Sequence, residues 1–60
     1  MTYREYMQTA ETCRTAHDAQ RLIDQAADDN TISAGQYHNI RYTAIKSAYQ
    51  IKTGGKHNGN

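Results

Sequence analysis

Asp28-Asp29-Asn30-Thr31-Ile32-Ser33-Ala34-Gly35-Gln36-Tyr37 is the stretch on which the fold turns. Ser33 followed by Gln36 has the spacing of a capping box. In that device the Ser hydroxyl takes the backbone N–H three residues on, and the Gln side chain returns to the N–H of the Ser. Ile32 before the cap and Tyr37 four residues after it then form a hydrophobic staple. Asn30 is a good left-handed residue for closing the preceding helix. One helix should therefore stop near Asp29 and another begin just after Ser33.

Working backwards, Thr2 and Glu5 repeat the cap pattern, so helix should begin at Tyr3. Between there and Asn30 there is neither Gly nor Pro to force a break. The apolar positions nevertheless change sides. At 100° per residue, Tyr3, Tyr6, Met7, Ala10 and Cys13 fall on one face. Ala16, Ala19, Ile23, Ala26 and Ala27 fall nearly opposite, with Leu22 at their edge. Two arrangements satisfy this pattern. Either one long helix spans 3–29 and its halves pack on different neighbours, one of them a partner subunit, or the helix splits near Thr12 to Thr15. In the second case Thr15 and Asp18 cap a new helix. The continuous helix is the expectation taken forward.

Working forwards, Tyr37, Ile40, Ala44, Ile45, Ala48 and Ile51 recur at spacings of three and four, which predicts an inward face on a helix over 34–52. Thr53-Gly54-Gly55 should stop it. Residues 53–60 are then a flexible tail behind a helical domain of 1–52. The fold class is all-α: a helical hairpin with a long helix 3–29, a turn at 30–33 and a helix 34–52, the first helix split in the second arrangement.

Composition makes this a thin core. The 60 residues hold five Ile, one Leu, two Met and five Tyr, with no Val, Phe or Trp. Chains of this size bury only about 60% of their unfolded surface. Net charge is +1 and eight Ala favour helix, so the chain should fold rather than stay disordered. Small scaffolds are usually completed by disulfides, metal or association. One Cys cannot close an internal disulfide. Homodimerisation is therefore the expected remedy. The single Cys and the lack of a recognisable leader point to the cytoplasm, and no apolar run approaches the ~20 residues of a membrane span.

Charge divides at the same turn. All six acids lie at or before Asp29, where three Arg leave a net of −3. Arg41, Lys46, Lys52 and Lys56 follow with no acid, giving +4. The plain reading is attraction between helices; the sharper one is a weak basic surface for nucleic acid.

No chemistry emerges from the remaining residues. Cys13 and His17 are four apart and would share a helical face, as zinc ligands can. Two ligands make no site, and His38 and His57 supply no matching pair. Catalytic residues, metal ligands and cofactors are all expected to be absent. Tyr42 and Tyr49, beside Ile45, are large aromatics at the edge of the inward face and are candidates for a protein interface. Tyr3, Tyr6 and Met7 are the matching candidates on the first helix. An alternative is a helix-turn-helix arrangement, in which Gln36, Asn39, Thr43 and Lys46 of the last helix meet nucleic acid. Against it, Asp28-Asp29 would sit where phosphates pass.

The opening Met1-Thr2-Tyr3-Arg4-Glu5-Tyr6, the Asp28-Asp29-Asn30-Thr31-Ile32-Ser33 turn and the chain's size resemble the short helical accessory proteins of lambdoid phage early regions. That resemblance implies a non-enzymatic modulator that acts by binding a host or phage protein. It assigns no individual residue. The sequence-based expectation is a small protein-binding regulator or adaptor, phage or mobile-element encoded, that works through helix–helix contacts.

Overall fold

The computed structural model describes the backbone of residues 1–57 and the side chains of residues 1–49. It contains three helices: α1 (Tyr3–Glu11), α2 (Ala16–Ala27) and α3 (Ala34–His57). No strand occurs among the described residues.

α1 starts as its sequence demands. The Thr2 hydroxyl accepts the N–H of Glu5 at 3.2 Å, and the Glu5 carboxylate accepts the N–H of Thr2 at 2.9 Å. The continuous helix over 3–29 is corrected: α1 ends at Glu11 and the chain turns back through residues 12–15. Threonine supplies the break that Gly or Pro usually supplies. Thr12 closes α1 by directing both its N–H and its hydroxyl at the Thr9 carbonyl, at 3.0 and 2.9 Å. Thr15 is extended, with φ −133° and ψ 160°, and its hydroxyl accepts the N–H of Asp18 at 3.0 Å. Such local bonds compete with helix continuation, and here they open α2.

Tertiary packing explains why the break wins. Tyr6, Ala10 and Cys13 from one half, and Ala19, Leu22, Ile23 and Ala26 from the other, all lie in one buried cluster with Ile40, Ala44 and Ala48. A straight helix would hold those two stripes on opposite sides, and only one could be buried in the chain. Folding back at Thr12 to Thr15 aims both at α3. The opposed stripes are thus satisfied without a second chain.

α3 packs against both α1 and α2, while α1 and α2 touch each other less. Its 24 residues give a rod of about 36 Å at 1.5 Å per residue, close to the 42 Å longest extent of the molecule. The expected inward positions Ile40, Ala44 and Ala48 are buried, and Tyr37 and Ile45 pack at the margin of the cluster. Among the described side chains, five of the ten core residues are Ala, so the helices approach closely. The expected stop at 53–55 is also corrected, because helical backbone continues through Gly54 and Gly55 to His57. Glycine tolerates right-handed helix at about 1 kcal/mol relative to Ala. The remainder of the expected tail, 58–60, lies outside the described residues.

The second junction keeps the expected cap but changes its closing residue. Ser33 donates its N–H to Gln36 Oε1 at 3.1 Å, and Gln36 returns its N–H to Ser33 Oγ at 3.2 Å. Ile32 and Tyr37 are both half-buried against the core and line one depression with Ala26 and Ala27, as a staple requires. Asn30 does not take the left-handed conformation; no described non-glycine residue has positive φ. Asp29 organises the turn instead. Its Oδ1 accepts the Thr31 N–H at 2.9 Å and the Thr31 hydroxyl at 2.6 Å. This Asx-type turn needs no left-handed residue.

Candidate functional site

Asp29 also reaches across the fold. Its second oxygen accepts the Tyr6 hydroxyl at 2.8 Å, and the same hydroxyl lies 3.4 Å from the Gln25 carbonyl. One carboxylate thereby joins α1, the end of α2 and the turn into α3. The Thr31 bonds hold the Asp29 carboxyl down at about 2, with the Tyr6 bond adding to the effect. Burial raises the Tyr6 phenol, and the bond to Asp29 and its charge raise it further. The group works as a structural tie: both partners are bonded, and the ring of Tyr6 is only 1% exposed.

Tyr6 therefore leaves the set of candidate interface residues, because its side chain is used inside the chain. Tyr3 and Met7 are half-buried beside the core, and Tyr3 accepts a hydrogen bond from Asn39 Nδ2 at 3.2 Å. The α3 candidates lie farther out. Tyr42 is 61% exposed and Tyr49 52%, with the half-buried Ile45 between them. Lys46 Nζ sits 5.7 Å from the centre of the Tyr42 ring, a cation–π contact one helical turn away. A narrow crevice of about 110 Å³ opens beside this row, lined by Ala16, Ala19, Gln20 and Ile23 of α2 and by Ile45, Ala48 and Tyr49 of α3.

The four residues of the nucleic-acid alternative are not a free row of readers. Gln36 is committed to the cap of Ser33, Asn39 donates to Tyr3, and Thr43 is half-buried. Asn39 and Lys46 are exposed, and Lys46 lies over the Tyr42 ring.

The Cys13–His17 pair does not share a helix face, since Cys13 precedes the N-cap of α2. The thiol is buried and directs its proton at the Thr9 carbonyl, with 3.5 Å between sulfur and oxygen. Burial, and next the charge of Asp18, push its pKa up, which keeps it a thiol rather than a nucleophilic thiolate. His17 is exposed. Among the described residues no group of three or more His, Cys, Asp or Glu is placed to hold a metal ion. No helix in the described residues is long and apolar enough to cross a membrane.

The row on α3 was visible in sequence as surplus tyrosine. The Asp29–Tyr6 tie was not, because 23 residues separate its ends and neither has a local signal for the other. No family model, curated protein or solved structure matches the chain.

Proposed function

We propose that the chain is a small non-enzymatic protein-binding regulator or adaptor that acts through helix–helix contacts on the outer face of α3. The observation that carries this reading is the exposure of Tyr42 and Tyr49 on one stripe, with Ile45 between them. Exposed aromatic side chains offer large contact area at low conformational cost, which is why interfaces favour them. The core does not need them, since Tyr6, Leu22, Ile23 and Ile40 already fill it. The resemblance to phage accessory proteins fits a role by binding and supports a phage or mobile-element origin.

The test is site-specific photo-crosslinking in living cells. A photoreactive phenylalanine at position 42 or 49 should give discrete cross-linked species. The same probe at the exposed Gln8 of α1 should not. Equal labelling from all three positions, or none, would remove α3 as the working face.

A further inference from the structure

His38, Tyr42, Ile45 and Tyr49 follow one another at spacings of four, three and four. On the helical wheel they fall within a sector of about 60°, the narrow seam of a coiled coil rather than the broad stripe of a core helix. The core of α3 lies elsewhere on the wheel, at Ile40, Ala44 and Ala48. Beside its buried row, α3 therefore carries a second row in which Tyr42 and Tyr49 are more than half exposed and Ile45 packs at the margin of the core.

The residues beside the second row select its occupant. Arg41 borders it on one side and Lys46 on the other, and both are exposed. The chain has no Asp or Glu after Asp29. Arg41 makes no ion pair among the described residues, and Lys46 rests on the Tyr42 ring.

In coiled coils these bordering positions meet their counterparts across the seam and set partner choice. Two copies of α3 aligned in parallel would bring Arg41 of one against Lys46 of the other. Aligned antiparallel, Arg41 would meet Arg41 and Lys46 would meet Lys46. Like charges repel in both alignments. The Ile45–Tyr49 crevice against Ala16 and Ile23 offers space for one aliphatic side chain from a partner.

Resting on the protein-binding reading above, we infer that this face docks a helix of another protein, with an apolar 4-3 seam and carboxylates at both flanks, and not the α3 of a second copy.

The probes are two designed helical peptides with the same leucine seam, one with Glu at every flanking position and one with Lys. Each is titrated into the whole chain by isothermal calorimetry, at low and at high salt. The Glu peptide should bind about tenfold tighter than the Lys peptide at low salt, the combined effect of a few exposed charge pairs. Added salt should shrink that ratio, because such pairs are screened.

Tyr42→Ser should abolish binding of both peptides while leaving the fold intact, since the side chain is exposed. Arg41→Glu with Lys46→Glu should invert the preference. Equal binding of the two peptides, or a preference that the double reversal leaves in place, overturns the charge selection. Concentration-dependent dimerisation that Tyr42→Ser eliminates would also overturn the inference. It would leave α3 as a docking face whose occupant is a second copy. Failure of the crosslinking experiment, by contrast, removes the face itself.

Discussion

The chain reverses twice, at residues 12–15 and at 28–33, and the two junctions are built on different principles. At the first, each helix end is held locally: Thr12 closes α1 and Thr15 opens α2, with partners no more than three residues away. At the second, a capping box opens α3, while Asp29 binds Thr31 beside it and Tyr6 from the far end of the chain. Local caps decide where a helix can break, but only a long-range bond decides which break faces which. The first junction depends on the core to hold its angle. The second carries its own tie.

Breaking that tie should have the largest effect. Tyr6→Ala removes the largest side chain buried below 2% exposure and leaves Asp29 without its cross-fold donor. In a core half made of alanine few atoms can move in to fill the void, so loss of a cooperative thermal transition by circular dichroism is expected. Tyr6→Phe keeps the ring and deletes only the bond. It should still fold and melt lower than wild type. If Tyr6→Phe melts like wild type, the tie does not hold the second junction.

Acid should loosen the second junction selectively. The Asp29 carboxyl is lowered from 3.8 to about 2 in the folded chain, so the unfolded chain takes up its proton first as pH falls. Its stabilising contribution is complete above pH 4 and drains away as pH drops through about 2. Wild type should therefore lose more melting temperature between pH 4 and pH 2 than Asp29→Asn, in which that proton equilibrium is absent. Parallel curves for the two would show that Asp29 is not bonded as described.

The caps come next, and the contrast between junctions predicts their order. Loss of a Ser or Thr N-cap costs about 0.5–2 kcal/mol. Thr15→Ala should fall in the upper half of that range, because at residues 12–15 no other side chain bonds the entry to α2. Ser33→Ala should fall in the lower half, because Asp29 and Thr31 still fix the turn when the Ser hydroxyl is gone. Denaturant unfolding of the two variants compares them directly, and the reverse order would mean that the second junction is not over-determined.

The same contrast explains what the sequence made legible. Helix starts at Tyr3 and Ala34 were readable because a capping box is complete within four residues. The break at Thr12 to Thr15 was visible as one of two arrangements, through the change of face between Cys13 and Ala16. It lacked the Gly or Pro that would have decided it, and burial of both stripes against α3 decided it instead. Asn30 was chosen over Asp29 for its backbone tolerance, whereas the structure uses the side-chain oxygens of Asp29. For the candidate face, the surplus of Tyr42 and Tyr49 was legible from the 3.6-residue period alone. The removal of Tyr6 from that set was not, because it depends on a bond to a residue in another helix.

The smallest effect tests α3 just past the second junction. Gly35 lies in its first turn, has no positive φ, and a Cβ built there meets nothing within 4 Å. Glycine costs a helix up to about 1 kcal/mol relative to alanine, chiefly through freedom that the unfolded chain retains. Gly35→Ala should therefore stabilise the chain by about 0.5 kcal/mol, below the mid-helix figure because the position is close to the N-cap. In a domain of this size that raises the melting temperature by about 2–4 °C. The Cβ would project on the solvent side of α3, so the gain should leave the Ser33–Gln36 cap undisturbed. A lower melting temperature would mean that the first turn of α3 needs glycine for a reason other than space, and would shift the weight of the second junction from its side chains to its backbone.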